Sequence, residues 1–585
     1  MQKVLIFIAL ITLGYGAFAQ FDPMKGNVTG NFKLDAQTYT PDANIGADTV
    51  SEKMLSNSYM NVVYNYGKFT AGVRFEGYFN TMLGYDKPYD GFGISTKYAT
   101  YTGDFLEVTA GNFYDQFGSG LIFRTYEDRD LGYDNAMEGA RVKVRPISGV
   151  TVTGIIGKQR IYWDVGEGIV RGVDGDFILN DMFPAFANSN NRITLGGSFV
   201  SKFQADNNPI FILPENVGSA AARLNYSFKS FSISSEYAVK GQDPSADNGY
   251  IYKPGSALLI NSNFSAKGLG ILLQYKWVDN MSYRSERNEH INNLLINSLP
   301  AITKNHTYAY QAMYPYATQV NGESGLQAEL FYKFKKHSFL GGKYGTMLIL
   351  NASQVNDIKR EAIQDANGND IPIGKKGTDG YTTKFLSMSD SLFSRDINVT
   401  ISKKYSKKIR GKLSYQHMDF NQFALQGHGM AHDGIVNTNT FVADFTFRLK
   451  PKHSLRVEAE ALFTKEVEAN DPNNVGQKVK IMQDYGNWAM LILEYSVSPH
   501  FFFALSDQFN YIHQDDDIAT NTLSIVHGEN FHRNHYYSVA MGYSKGSSRI
   551  QMSYGKQREG ILCVGGVCRA VPAAYGFNVS ITSTF

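Results

Sequence analysis

The feature that most constrains this chain is a strict alternation of apolar and polar residues in stretches of about ten residues. Residues 27–39, 69–77, 441–449 and 455–463 each place apolar or small side chains at every second position and polar or charged ones between them. Successive side chains of a strand point to opposite faces, so each stretch predicts a strand with one apolar and one polar face. Sustained helical periodicity is almost lacking, and we therefore expect an all-β fold.

The turns predict how many strands there are. Ten short connections join alternating stretches, at 66–67, 103–104, 147–149, 229–230, 267–268, 335–337, 406–408, 450–452, 498–500 and 546–547. They account for twenty strands, the two ends add one each to give 22, and residues 168–203 hold a further pair, which gives 24. Short turns alternating with long loops are typical of a transmembrane antiparallel up-and-down β-barrel, here of about 22–24 strands. A soluble β-sandwich also alternates, and the chain ends decide between the two.

Both ends favour a bacterial outer-membrane protein. Lys3, the apolar stretch 4–13 and the A-x-A sequence at 17–19 predict a signal peptide over 1–19 that is cleaved before Gln20. The apolar stretch is too short for a transmembrane anchor. The last stretch, 576–585, is amphipathic and ends in Phe585, which resembles the signal read by the barrel-assembly machinery. We expect a single barrel domain over 20–585 whose partners are outer-membrane lipid and lipopolysaccharide, the assembly machinery and other outer-membrane proteins.

Composition fits this class and excludes another. With 37 Tyr, 39 Phe and 55 Gly, the chain has the aromatic residues and glycines that a membrane barrel needs. Its 56 basic and 54 acidic residues leave a formal charge of +2, so we expect no nucleic-acid partner. Cys563 and Cys568 are the only cysteines; in an exported protein they either close a small disulfide loop or remain two free thiols.

The expected barrel is wide, which raises the question of what fills it. The first predicted strand begins too close to Gln20 for an N-terminal plug domain to precede it. A barrel of more than twenty strands nevertheless has a lumen that is plugged in known cases. We expect the longest connections, 279–322, 351–390 and 162–190, to fold inward and occlude it.

One charged segment is the main candidate for a constriction. Residues 117–138 carry many opposed charges, and the strand after them presents basic residues to the lumen. Opposed charges across a narrow lumen select solutes by charge. The alternative is a solvated, ion-paired loop. The candidate residues are Arg124, Glu127, Asp128, Arg129, Asp130, Asp134, Arg141, Lys143 and Arg145.

Signals for a metal or for catalysis are weak. Histidine can ligate metals, and the weak candidates are His428, His432, His527, His532 and His535. They lie in predicted outer loops, where histidine is common, so we expect no metal and no other cofactor. No pattern places a nucleophile beside a base, so we do not expect an enzyme.

Three segments carry a family resemblance, at 117–142, 162–181 and 560–585. They resemble an uncharacterised family of large outer-membrane β-barrel proteins of Bacteroidota, and the loop between Cys563 and Cys568 is the most specific part of the likeness. The resemblance implies location and fold, and it transfers no catalytic residue.

Two functions follow from the sequence. The first is a porin-like pore or transporter for small solutes whose lumen is occluded by loops. The alternative is a non-catalytic structural subunit of a larger outer-membrane complex, with the aromatic stretch 308–316 as an exposed docking surface.

Overall fold

The computed structural model describes residues 26–290, 292–426, 434–470, 478–482, 486–512, 516–517, 522–523, 534–564 and 567–585. The predicted signal peptide lies outside these residues and stays a prediction.

The described residues form one closed antiparallel barrel of 24 strands. The strands are β1 Asn27–Thr38, β2 Met54–Tyr66, β3 Phe69–Phe79, β4 Gly91–Thr102, β5 Leu106–Phe113, β6 Met137–Val144, β7 Val150–Ile161, β8 Asp164–Ile178, β9 Asn191–Phe203, β10 Asn216–Phe228, β11 Phe231–Lys240, β12 Gly255–Ala266, β13 Leu269–Asp279, β14 Gly322–Lys333, β15 Thr346–Asn356, β16 Leu392–Lys404, β17 Ile409–Asn421, β18 Ile435–Lys450, β19 His453–Thr464, β20 Asn487–Val497, β21 Phe501–Ile512, β22 Asn534–Lys545, β23 Ser548–Gln557 and β24 Ala574–Thr584. The upper end of the predicted range of 22–24 strands is confirmed.

Smaller elements lie in the connections. Two-stranded hairpins pair Glu127–Asp128 with Tyr133–Asp134, Arg360–Glu361 with Thr382–Thr383, Ile363–Gln364 with Asp370–Ile371, Glu466–Asn470 with Lys478–Met482, Asp516–Asp517 with Thr522–Leu523, and Gly560–Val564 with Val567–Val571. Short helices are Ala43–Ile45, Lys87–Tyr89, Leu179–Met182, Pro184–Ala187 and Gln422–Gln426.

The barrel closes where its first and last strands pair, a junction we call the seam. β1 runs antiparallel to β24 from Asn31 opposite Thr584 to Gln37 opposite Asn578. At the end of the seam the Phe585 amide donates to the Gly30 carbonyl at 3.0 Å, and the Gly30 amide donates back at 2.8 Å. The assembly role of Phe585 stays a prediction, but its backbone completes the ladder.

The two rims differ as expected, with one exception. All ten predicted turns lie on one rim, although the one predicted at 335–337 is part of a longer connection, 334–345. Residues 168–203 supply the predicted extra pair, β8 and β9. The inward loop expected at 162–190 was wrong. Only Tyr162 and Trp163 join β7 to β8 on the loop rim, and residues 179–190 lie on the opposite rim. The glycine-rich alternation of 164–178 is strand rather than loop.

The outer face is apolar and the inner face is polar in the strands that the sequence singled out. Phe75 is 37% exposed on the outside of β3, whereas Arg74 and Glu76 beside it are buried inside the barrel. Phe441 and Leu505 are likewise exposed on the outside. A closed barrel with an apolar outer belt is the architecture of a bacterial outer-membrane protein. No helix among the described residues is long and apolar enough to span a membrane.

Candidate functional site

The lumen is filled by two of the protein's own connections, 114–136 and 280–321, which together we call the lumen insert. Residues 280–321 reach from one wall to the other. Near their start the Tyr283 hydroxyl donates to the Val217 carbonyl of β10 at 2.7 Å. Further along, the Tyr310 hydroxyl donates to the Ala489 carbonyl of β20 at 3.0 Å. The expectation that 279–322 folds inward is confirmed.

The aromatic stretch 308–316 lies inside the barrel. The Tyr308 hydroxyl donates to Asp444 at 3.1 Å, and Glu460 accepts the amides of Ala309 and Tyr310 at 3.0 and 2.9 Å. Tyr308, Tyr310, Tyr314 and Tyr316 are all buried. The stretch is therefore not an exposed docking surface, because the Tyr308 and Tyr310 hydroxyls and the backbone beside them find partners on the inward side of β18–β20.

An apolar core joins the lumen insert to one side of the barrel. From the insert, Phe117, Leu121, Ile122, Phe123, Tyr283, Ile296, Leu299, Ile302 and Tyr316 pack against inward-facing residues of β8–β13, namely Val170, Val200, Val217, Ala221, Ala238, Ala257, Leu259 and Val278. Small and branched apolar side chains on the inner wall leave room for this core. We call this side the dry half of the lumen.

Buried ion pairs accompany the apolar core. The Lys276 ammonium of β13 pairs with Glu323, and both side chains are 0% exposed. It also donates to the Pro300 carbonyl of the insert at 2.6 Å. Lys202 pairs with Asp243 at 2.7 Å and is also fully buried. Buried charges of this kind need a partner, and each lysine finds its carboxylate outside the insert, while the hydrogen bond from Lys276 to Pro300 connects the wall to the insert.

The connection expected to fold inward over 351–390 lies elsewhere. Trp277 points outward from β13, since its neighbours Lys276 and Val278 face the lumen. Phe385 contacts the Trp277 ring at 5.1 Å and the outward-facing Tyr237 at 5.8 Å, and the Trp277 indole donates to the Ser387 carbonyl at 3.2 Å. This connection therefore covers the outer surface near the loop rim, so the expectation was wrong.

The charged segment 117–138 forms an ion-pair network with the wall. Asp134 pairs with Arg74 of β3 and with Arg160 of β7, the latter at 2.5 Å. Arg74 also pairs with Glu127 at 2.6 Å, and Arg160 with Glu76 at 2.7 Å. Burial alone would raise the pKa of the Asp134 carboxyl, but Arg160 and Arg74 hold it below its ordinary value. The network holds 114–136 against the wall.

The other candidates of that segment point in several directions. Arg124 stacks over Tyr126 at 4.3 Å, and Arg129 pairs with Glu127 and lies over the Tyr59 ring. The Asp128 carboxylate accepts the amides of residues 130 and 131, so it shapes the turn. Asp130 reaches the wall, where Lys33 pairs with it at 3.4 Å.

The three basic candidates of β6 and its turn lie toward the short-turn rim. Arg141 pairs with Glu107 at 2.7 Å and with Asp115 at 3.3 Å. Arg145 approaches the same Glu107 at 3.6 Å, and Lys143 lies on the same face of β6 between them. The constriction formed by these residues together stays a prediction.

The metal candidates gain no support from the described residues. His535 pairs with Asp507 at 2.7 Å, and the other four histidines lie outside the described residues. Glu76, Glu127 and Asp134 approach one another closely enough to share an ion. Arg74 and Arg160 already neutralise them, so this cluster does not fit a cation.

Beside the seam the lumen is open and polar. Three cavities of about 550, 280 and 230 Å³ adjoin one another, and we call them together the polar cleft. The cavity of about 550 Å³ shares Tyr85 and Arg569 with the cavity of about 230 Å³. It shares Asn292 and Cys568 with the cavity of about 280 Å³. Lys33, Asp35, Gln37 and Asn578, on the inward faces of β1 and β24, line the smallest.

A disulfide-closed hairpin covers the cleft. Its arms, Gly560–Val564 and Val567–Val571, are joined by the Cys563–Cys568 disulfide with the Cα atoms 4.1 Å apart, which confirms the first of the two expectations for these cysteines. Asn292 of the insert donates to the Cys568 carbonyl at 2.9 Å. Lys556 pairs with Asp42 at 2.6 Å at the base of the hairpin.

Part of this site could have been predicted from the sequence. Lys33 and Asp35 are on the polar face of the first alternating stretch, so the pattern places them in the lumen. Only the closed seam shows that they lie beside β24, and only the folded hairpin brings Arg569 to them.

Comparison with known proteins gives a family and a set of barrels. A model described as a family of unknown function, DUF6029, matches residues 1–585. No curated protein matches the chain.

Solved barrels are similar only distantly. The translocation pore of the P pilus usher PapC is 9% identical over 95% of this chain and 99% of its own, with a TM-score of 0.42. The siderophore receptor PirA from Pseudomonas aeruginosa is 9% identical over 96% and 80%, with a TM-score of 0.38. OccAB3 from Acinetobacter baumannii is 8% identical over 96% and 99%, with a TM-score of 0.32.

Proposed function

The chain belongs to the DUF6029 family of unknown function, and we propose that this member is a porin-like transporter that passes small solutes along the seam side of its loop-filled lumen. The family match agrees with the resemblance to uncharacterised barrels seen in the sequence. The proposal needs no catalytic residue and no cofactor.

The polar cleft is the observation that carries this proposal. The side chains of Lys33 and Asp35 remain 28% and 23% exposed on the inner wall, whereas the side chain of Lys276 in the dry half is 0% exposed. Asn31, which lies nearer the short-turn rim on the same face of β1, is also exposed. Water therefore reaches this wall both from the cleft and from the short-turn side.

Opposed charges line the proposed path. Lys33 pairs with Asp35 at 3.1 Å and with Asp130 of the insert at 3.4 Å. Partly exposed pairs are weak, so a charged solute can exchange with them at small cost. A narrow path with both signs of charge favours small polar or charged solutes over apolar ones.

The test is conductance of the purified barrel in planar lipid bilayers. Asn578→Trp places a large side chain at the cleft and should reduce the conductance severalfold. Val579→Trp is the matched control, because residue 579 follows on the lipid-facing side of the same strand. A wild-type barrel without channel activity, or an N578W variant that conducts like the wild type, would contradict the proposal.

One observation favours the second function, a structural subunit of a larger outer-membrane complex. Ile210 and Ile212 on the loop rim are 79% and 88% exposed, and Phe385 of the neighbouring connection is 55% exposed. Exposed apolar clusters mark interaction surfaces.

This second function is tested by purification from native membranes. Ile210→Asn with Ile212→Asn should remove a co-purifying partner, while Phe339→Asn on the opposite rim should retain it. Recovery of the wild-type barrel alone would rule this function out.

A further inference from the structure

Arg569 occupies a special position in the polar cleft. It lies on the second arm of the hairpin, Val567–Val571, and its guanidinium stacks on the Tyr85 ring at 4.2 Å. It lines both the cavity of about 550 Å³ and the cavity of about 230 Å³. The residue thus stands where the two cavities meet.

Two of its three donor nitrogens lack acceptors. Within the described part of the chain, Nε and Nη1 of Arg569 are buried and have no hydrogen-bond partner. The nearby carboxylates of Asp35 and Asp130 are both paired with Lys33. A buried N–H group without an acceptor is costly, and the face of the Tyr85 ring offers Nε and Nη1 no hydrogen-bond acceptor. An anion that entered the cleft would supply that partner.

The backbone at Gly84 passes close to the Arg569 guanidinium. Gly84 has a φ of +82°, and a Cβ there would lie 2.9 Å from Nη1 of Arg569 and 2.8 Å from the Ala570 carbonyl. Only glycine allows the chain to pass so close to the guanidinium while keeping a left-handed conformation. The approach of 84 and 85 therefore holds the guanidinium in place from one side.

The larger cavity offers groups for the rest of a ligand. Tyr89, Tyr162, Asn292 and Asn293 line it together with Tyr85. Aromatic faces and amide groups suit a ring that carries hydroxyls, and the volume accommodates a molecule of sugar size.

We propose that Arg569 binds the anionic group, a carboxylate or a phosphate, of a small polar organic solute whose remainder occupies the cavity of about 550 Å³. The planar fork of arginine matches both oxyanions. The inference rests on the proposed transport function and gives that function a substrate class.

Binding is tested by isothermal titration calorimetry of the full-length barrel in detergent micelles at low salt. The probes are inorganic phosphate and glucuronate, with glucose as the neutral control. Both anions should bind the wild type more tightly than glucose does. Binding of glucuronate alone would assign the site to carboxylates, and binding of phosphate alone would assign it to phosphates.

Variants show whether Arg569 is responsible. Arg569→Gln should weaken anion binding by at least about tenfold, because a charged hydrogen-bond donor is lost. Arg569→Lys should retain part of it, since the charge remains without the fork. Arg558→Gln is the matched control on the same connection, because Arg558 lies over Trp488 away from both cavities. Equal affinity of R569Q and wild type, or no anion binding to the folded wild type, overturns the inference.

The two proposals fail separately. Loss of phosphate binding in R569Q together with absent bilayer conductance would support the anion site and reject transport. Conductance reduced by Asn578→Trp, with no anion bound, would do the reverse. Heat-modifiable migration in gels shows in each case that the variant barrel is folded.

Discussion

The two sides of the lumen are built from the same kind of strand but enclose different interiors. The inner wall of β8–β13 presents valine, alanine and leucine to the lumen insert, and its lysines are buried in ion pairs. The inner wall at β1 and β24 presents Lys33, Asp35 and Asn578 to a cleft that water enters. The difference teaches that one wall of a barrel can be packed while another stays accessible to water, so a filled lumen does not exclude a solute path.

The sharpest test of this comparison removes one lysine from each side. Lys276→Met leaves Glu323 buried without its ammonium and should lower the free energy of unfolding by about 3–5 kcal/mol. Lys33→Met breaks partly exposed pairs and should cost less than about 1 kcal/mol. Urea titration of the refolded barrel in liposomes measures both. Equal losses would remove the distinction between the two sides.

Removal of the disulfide should destabilise only the seam side of the lumen. Replacing Cys563 and Cys568 by serine removes the cross-link of a short loop. The unfolded hairpin gains entropy, so the free energy of its unfolding should fall by about 2 kcal/mol. Hydrogen exchange should rise in 560–571 and stay unchanged in 117–123 of the dry half. Faster exchange in both segments would show that hairpin and apolar core are one cooperative unit.

A charge reversal at the cleft should change selectivity without changing stability. Asp130→Lys places a second cation beside Lys33, so the preference of the pore should shift toward anions by about twofold to threefold, as expected for a partly screened site. Reversal potentials in a salt gradient measure this shift. Asp104→Lys, on an exposed turn of the opposite rim, is the control and should leave the reversal potential unchanged.

The smallest expected effect is that of mild acid. Because Arg160 and Arg74 lower the pKa of Asp134, its stabilising charge is complete above the ordinary carboxyl value of about 3.9 and is lost only as the pH falls through the lower folded value. The protection of 114–136 against hydrogen exchange should therefore be the same at pH 7 and pH 5. Weaker protection of this segment at pH 5 would show that the Asp134 network does not hold it.

The sequence predicted the barrel well because its evidence is local. Alternation depends only on neighbouring residues, and each short turn joins two adjacent strands, so the strand range and the rims could be counted. The error at 162–190 has the same origin. Residues 162–190 were predicted as an inward loop, although 168–203 were also predicted to hold a strand pair; the glycines of 164–178 are compatible with the strand, whose inner face meets Phe117 and Glu286.

The placement of loops was harder because it depends on distant contacts. Residues 280–321 and 357–391 are both long and polar, yet only the first enters the lumen. The first meets apolar inner-wall residues of β8–β13, and the second meets the outward-facing Trp277. The alternation predicted which strand residues face inward and which face outward. It could not predict which loop contacts the inward-facing residues and which contacts the outward-facing ones. For the same reason the stretch 308–316 was predicted to be exposed, and Arg569 was overlooked.

The position of the seam has a consequence for the order of assembly. The lumen insert packs against β8–β13 and is connected to β5–β6 and β13–β14, none of which forms the seam. An empty barrel would expose that apolar wall to water, which favours packing of the insert before the seam closes. The ends of the chain then meet along the wet side, where few buried groups need to be matched. The barrel can thus close around a segment of its own chain, with its first and last strands meeting on the side where Lys33 and Asp35 remain partly exposed.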